Sequence, residues 1–295
     1  MKIQFLNGGL ANQTFQYIFA RYAELKDPEN GPWYLDDSFF FVNSVHNGYE
    51  LEKVFNIQPN LLSKYFDEDV WKYMIDKKRN ENKSIPQLLL ENGLDIYMLS
   101  EMPNNAQFNP FSGTIEKIGP NKYIPELTSL SGDVYYHGYW INKGYFNEYK
   151  DIFLKELAFR DITEEHNVQY ADLIAKTESV CIHVRRGDFI NIGWALSEDE
   201  IRELVSTMHG AVPNMTLFVF SDDMRWCKEN ERKLGFNIPK EVFYIEGNEG
   251  EKSYRDMQLM SMCKNMIIGT SSFNYLAALL NRRLERVINT TNREV

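Results

Sequence analysis

The feature that most constrains this chain is an alternation in its second half. Four short runs rich in β-branched and aromatic residues, at 179–184, 215–220, 242–245 and 266–269, are set apart by stretches with apolar residues at helical spacing. Those helical stretches fall at 197–209, 224–234 and 253–264, with another after 272. Strand and helix in this rhythm predict an α/β domain with a parallel sheet covered by helices. Ligands of such sheets gather beyond the carboxyl ends of the strands. Each run ends there in a polar cluster: His183-Val184-Arg185-Arg186-Gly187-Asp188, Ser221-Asp222-Asp223, Glu246-Gly247 and Thr270-Ser271-Ser272-Phe273. One polar loop after a strand means little, because loops are polar. Four in succession point to a shared site.

The double arginine stands against an acidic background of 42 Asp and Glu, 32 Lys and Arg, and a net charge of −10. Two adjacent guanidiniums offer a permanent, forked positive charge suited to a diphosphate. Ser271 and Ser272 open a helix, where hydroxyls and free N–H groups also receive phosphate. The plain alternative is that both arginines pair with nearby carboxylates. The overall negative charge argues against a nucleic-acid-binding surface.

The 295 residues are enough for two domains, with the boundary expected between about 150 and 175 and set at 1–155 and 156–295. In the first half, Ile3-Gln4-Phe5 alternates like a strand, Gly8-Gly9 turns the chain, and Asn12 caps a helix bearing Phe15, Ile18, Phe19, Tyr22 and Leu25. Such a turn aims free N–H groups above the sheet. Segments 61–79 and 85–94 look helical, 104–125 has loop density, 134–140 is an aromatic strand-like run, and a helix is expected at about 144–157. Cys181, Cys227 and Cys263 lack the spacing of a zinc site or a disulfide framework. No stretch approaches the roughly 20 apolar residues of a membrane span, and the N-terminus lacks a signal-peptide core. The expected compartment is the cytoplasm, with a position peripheral to the inner membrane left open.

The polar clusters resemble those of a known family. His183-Val184-Arg185-Arg186-Gly187-Asp188 resembles the HxRRxD element of the α-1,2-fucosyltransferases (bacterial type, glycosyltransferase family 11), shared with α-1,6- and protein O-fucosyltransferases. Gly8-Gly9-Leu10-Ala11-Asn12-Gln13-Thr14-Phe15-Gln16-Tyr17 resembles the family's GGLGNQMFQY, and His137-Gly138-Tyr139-Trp140 its GYW segment. Phe220-Ser221-Asp222-Asp223 with Trp226-Cys227-Lys228 resembles FSDDxxWCK, and 256–262 with Ser271-Ser272-Phe273 resembles its DLxLMS…SSF ending. The chain departs at Ala11 and Thr14, where the family has Gly and Met. It departs again at Asn274-Tyr275-Leu276-Ala277, where the family reads Ser-Trp-Trp-Gly, which leaves the acceptor open. Relatives often continue beyond Arg293, so a short or truncated tail is expected.

The resemblance implies a GT-B-like architecture, two Rossmann-like domains facing a central cleft, with the first on the acceptor side and the second binding GDP-fucose. It implies inverting transfer of L-fucose from GDP-β-L-fucose to the 2-hydroxyl of a terminal β-galactoside in a surface glycan. Arg185 and Arg186 would then stabilise the departing GDP directly, with no cofactor and no metal. Asp67-Glu68-Asp69 and Glu198-Asp199-Glu200 read as helix faces or caps rather than metal ligands. The resemblance assigns guanine to Asp256, with His183 nearby, because a carboxylate matches two neighbouring N–H donors. Ser221, Asp222, Asp223, Ser271, Ser272 and Phe273 complete the donor set; Asp222 and Asp223 read equally as helix caps. Asp188 is the candidate base, or else a holder of arginine, with Asp36 and Asp37 as rivals. Gly8, Gly9, Asn12 and Gln13 are expected to face the cleft, and Tyr139 and Trp140 to stack on acceptor sugars or to fill a core. Other readings are a different GDP-sugar or linkage, or a silent nucleotide-sugar or glycan binder. An NAD-type oxidoreductase is set aside because the Gly-Gly turn lacks GxGxxG spacing.

Overall fold

A computed structural model describes residues 1–101 and 111–290. Its contacts divide the chain into two units, Met1–Ala158 and Phe159–Val295.

The first unit holds a five-stranded sheet of β1 (Lys2–Phe5), β2 (Trp33–Asp36), β3 (Ile96–Ser100), β4 (Ile115–Lys117) and β5 (Asp133–His137), in the order β2-β1-β5-β3-β4. Every pairing is parallel, and Ile3 of β1 sits level with Tyr34 on one side and Tyr135 on the other. Ile3, Phe5, Met98 and Tyr135 are buried against Trp71, Met74 and Ile75 of the helix Glu68–Glu81 and Leu88 of the helix Ile85–Glu91. The other face packs on the helix Leu10–Lys26, whose Phe19 ring stacks on Trp140 with centroids 4.2 Å apart.

The second unit holds β6 (Ser179–Val184), β7 (Thr216–Ser221), β8 (Glu241–Tyr244), β9 (Asn265–Ile268) and β10 (Arg286–Asn289), in the order β10-β9-β6-β7-β8, again all parallel. Cys181 of β6 lies level with Phe218 of β7 and Met266 of β9. β6, β7 and β9 read as near-continuous apolar runs because helices cover both faces. Ile201, Val205 and Met208 of the helix Glu198–Ala211 close one of them over Val180, Ile182, Leu217 and Val219. The chain starts this sheet in the middle, runs outward to β8, then returns to the other side of β6. The order therefore reverses between β6 and β9, and the strand ends part there to leave a crevice.

Several local expectations change. The helix after β1 begins at Leu10 with Gly9 at its cap and no side-chain cap bond, so Asn12 lies inside it rather than capping it. The helix expected at 144–157 is two, Lys143–Asn147 and Lys150–Glu156. The loop-dense stretch 104–125 contains β4, an edge strand with exposed Glu116 and Lys117; residues 102–110 lie outside the described residues. Among the described residues, no helix is long and apolar enough to cross a membrane.

Candidate active site

The second unit's site begins where β6 and β7 end. Ser221 closes β7 by donating its hydroxyl to the carbonyl of Val184 at 2.7 Å, which ties the two strand ends together. Asp222 then sits under the double arginine. One oxygen accepts from the backbone N–H of Arg186 at 2.8 Å, and the other lies 2.9 Å from Nη1 of Arg185. Gly187 makes this approach possible, since a Cβ there would stand 2.8 Å from Asp222 Oδ2. Asp223 caps the helix Met224–Glu229 by accepting from Trp226 N at 3.2 Å, and its other oxygen takes Nε of Arg186 at 3.2 Å. Asp223 is thus a helix cap, and both carboxylates hold the arginines.

The two arginines are held differently. Arg185 spends Nε and Nη2 on Asp188, at 3.2 and 2.8 Å, and Nη1 on Asp222, with Phe189 5.6 Å beneath it. Arg186 is anchored through Nε alone and lies flat on Trp226, its guanidinium carbon 3.5 Å from the ring centroid. Among the described residues its two terminal nitrogens have no acceptor, and a salt bridge and a stacked ring fix their position. Asp188 is seen holding Arg185, the second of its two expected roles.

Across the crevice, Ser271 caps the helix Ser272–Leu279 by accepting from Phe273 N at 3.2 Å. Ser272 opens that helix, and the Phe273 ring packs against His183 with centroids 5.4 Å apart. Burial pushes His183 down to about 4, and Arg185 lowers it further against the pull of Asp222, so its ring is neutral at ordinary pH. His183, Arg185, Thr270 and Ser271 thus line one crevice at the reversal of strand order.

Asp256 is not joined to that cluster by any hydrogen bond seen. It accepts from Asn248 Nδ2 at 2.8 Å, and Asn248 is paired in both directions with Asn167. Burial pushes the Asp256 carboxyl up to about 7, with Glu249 adding to the effect and Asn248 opposing it. Its neighbour Arg255 is wholly structural, donating to the carbonyls of Arg160 and Asp161.

In the first unit, the carboxyl edge is built from amides. Gln16 accepts from Asn7 N and donates to Asn7 Oδ1 and to the Gly138 carbonyl. Tyr139 Oη takes Asn7 Nδ2 at 3.5 Å. One expectation is corrected here, and for Trp140 the core-filling alternative is the one found. Gln13 is 0% exposed, its side chain used up on the carbonyls of Gly8 and Gly48 and the N–H of Glu50, so it fixes a loop instead of facing a ligand. Trp140 is 1% exposed, stacked on Phe19 with its indole N–H given to Gln4, so it is a core residue and not a sugar platform. Gly8, at φ +77°, packs under Asn12, where a Cβ would meet the Asn12 amide at 2.7 Å. Gly9 is half-buried at the helix cap. Asp36 accepts from Tyr135 Oη and from Ser38 N, and both oxygens of Asp37 accept from Ser63, leaving neither rival turned outward as a base.

Sequence reasoning missed Glu101, which no pattern marks. One of its oxygens accepts from the N–H groups of Tyr139 and Trp140, and the other from Asn121. Among the described residues, no three His, Cys, Asp or Glu side chains group as a metal site.

The family model described as glycosyl transferase family 11 matches residues 120–294. An α-1,2-colitosyltransferase of Escherichia coli is 31% identical over 290 residues, covering 93% of this chain and 86% of that protein. The chain belongs to glycosyltransferase family 11. A second relative of this family 11 glycosyltransferase, the O-antigen biosynthesis glycosyltransferase WbnK of Escherichia coli, is 24% identical over 96% of the chain and 91% of its own length. Among solved structures, NodZ α-1,6-fucosyltransferase soaked with GDP-fucose aligns at TM-score 0.52 and 13% identity, over 97% of this chain and 93% of that one. At that identity the likeness concerns the fold, the GT-B type with two α/β units.

Proposed function

We propose that this family 11 glycosyltransferase moves L-fucose from GDP-β-L-fucose to the 2-hydroxyl of a terminal β-galactoside, with inversion and without a metal. The observation that carries the reading is the arginine pair bracketed by Asp188, Asp222 and Asp223 at the mouth of the second sheet. Two preorganised guanidiniums facing a helix opened by Ser271 and Ser272 suit the diphosphate of a nucleotide sugar. The acceptor oxygen attacks the anomeric carbon as the bond to the diphosphate breaks, and GDP leaves with the electron pair. Charge grows on the oxygens that Arg186 Nη1 and Nη2 meet. Arg185 joins by trading Asp188 for phosphate. The acceptor proton passes to solvent late in the step, since a sugar cation-like transition state needs little base.

Asp256, ionised on binding, takes the two neighbouring N–H donors of guanine, with His183 and Phe273 on the donor side as well. Residues 156–295 carry the donor, and residues 1–155 the acceptor, presented to Gly8, Gly9, Asn12 and Tyr139. A galactose-terminated surface glycan as acceptor, assembled on the cytoplasmic side, fits the O-antigen biosynthesis named for one relative.

A second reading of the donor has its own support, the 31% identical α-1,2-colitosyltransferase. Colitose is L-fucose without its 3-hydroxyl, so both donors present the same GDP. Turnover of GDP-fucose and GDP-colitose on β-galactosides, with product linkage read by NMR, separates them. A fucosyl-α-1,2 product with the higher kcat/KM supports the proposal. Preference for GDP-colitose moves the donor to that sugar, and GDP binding without turnover of either favours a silent binder.

A further inference from the structure

The crevice between β6 and β9 holds a pocket of ≈ 20 Å³ with His183, Arg185, Thr270, Ser271 and Asn274 on its walls. That is room for about one water molecule. Asn274 is 1% exposed, and neither its amide oxygen nor its amide nitrogen has a hydrogen-bond partner among the described residues. Nδ1 of His183 is also shut off from solvent and unpaired, although the residue as a whole keeps some exposure. Three orphaned polar atoms on one small pocket are unusual, because buried polar groups are nearly always satisfied by protein or ordered water. The rest of the wall is mostly apolar, with Ile182, Val184, Phe189, Leu196 and Ile201, and also carries the Trp194 indole.

One water answers all of this. Donating to His183 Nδ1 and exchanging its other hydrogen bonds with the Asn274 amide, it would satisfy all three atoms. A neutral imidazole that accepts at Nδ1 must carry its proton on Nε2. We propose that Asn274, through a single buried water, holds His183 as the Nε2–H tautomer, and so makes the outward edge of that ring a hydrogen-bond donor for the anionic donor substrate. Asn274 is then a positioning residue. It touches neither GDP nor sugar, and it acts on donor binding through His183. The step rests on the reading of His183 as part of the donor site.

The test uses the full chain with ¹⁵N- and ¹³C-labelled histidine and no nucleotide present, with His183 assigned by its loss in His183→Gln. The imidazole nitrogen and Cδ2 shifts should report one neutral Nε2–H tautomer between about pH 6 and 8. Asn274→Leu, similar in shape but unable to hydrogen-bond, should give a mixture of tautomers and raise KM for the GDP-sugar by about tenfold with kcat little changed. Asn274→Ser, smaller and polar, should return most of the Nε2–H signal and of the affinity. A wild-type ring in the Nδ1–H form, or a tautomer unchanged in Asn274→Leu, overturns the inference. The spectra are recorded without substrate. A failure of GDP-fucose turnover with the tautomer pattern intact would therefore count against the proposed donor and leave Asn274's role standing.

Discussion

At the scale of single residues, the two arginines are not equivalent. Arg186 is fixed by Asp223 and Trp226 with its terminal nitrogens uncommitted, whereas every donor-bearing edge of Arg185 meets Asp188 or Asp222. Arg186→Lys keeps the charge but loses the planar fork and the stacked fit. Its kcat should fall by roughly 10²- to 10³-fold while thermal unfolding stays within a few degrees of wild type. Asp188→Asn discriminates between a base and a holder. Loss of a general base costs about 10²- to 10⁴-fold in turnover; loss of a counter-ion to Arg185 should leave kcat within about tenfold. The geometry predicts the second. Asp256 gives a pH signature. Burial raises its carboxyl from 3.8 to about 7, so below about pH 7 the free protein favours the protonated form, whereas guanine needs the carboxylate. Donor KM should rise as pH falls through about 7, and Asp256→Asn should flatten that profile. For stability the sign reverses. A raised folded pKa gives a contribution present below 3.8 and lost as pH rises through about 7. Asp256→Asn should therefore raise Tm more at pH 8 than at pH 5.

At the scale of elements, the segment after β5 shows how a loop is locked into place. Trp140 has φ +54°, a left-handed conformation that a bulky residue rarely adopts. Glu101 holds it there by accepting from the N–H groups of Tyr139 and Trp140, and a Cβ at Gly138 would stand 2.7 Å from the same carboxylate. Burial raises the Glu101 carboxyl while its three backbone donors oppose the rise. Glu101→Ala orphans three backbone N–H groups and should cost about 3 kcal/mol or more of stability. The conservative Glu101→Gln keeps an acceptor oxygen, so it should fold with a smaller loss and a raised acceptor KM, with donor KM unchanged. Urea unfolding and steady-state kinetics check both. None of this was legible beforehand. Glu101 is a lone carboxylate without periodicity, and its partners lie more than a strand away in sequence. β2 was hidden for a related reason: Gly31 and Pro32 signal a loop directly before Trp33-Tyr34-Leu35-Asp36, and a four-residue strand is too short to outweigh them. By contrast β6, β7 and β9 were visible because each is an apolar run buried on both faces.

For the whole molecule, both sheets are parallel, and in the second unit the central first strand, β6, places a crevice beside it with Arg185 on its wall. The alternation of strands and helices made that sheet legible. The strand order did not follow from it, because nothing local in 286–289 says which edge β10 joins. The polar ends of β6, β7 and β9 were legible for the same reason as the strands: each cluster follows directly on an apolar run. Which bonds they make was not legible, since the separation of Arg186 from Asp223 and Trp226 closes only when β6 and β7 pair. As proposed, these guanidiniums stabilise the leaving diphosphate in place of a metal. The most direct test is GDP release from GDP-fucose in excess EDTA, measured with acceptors ending in β-galactose and with matched acceptors lacking it. The expected result is galactoside-dependent release in EDTA at the rate seen with added magnesium or manganese. Release that appears only when metal is restored would contradict it.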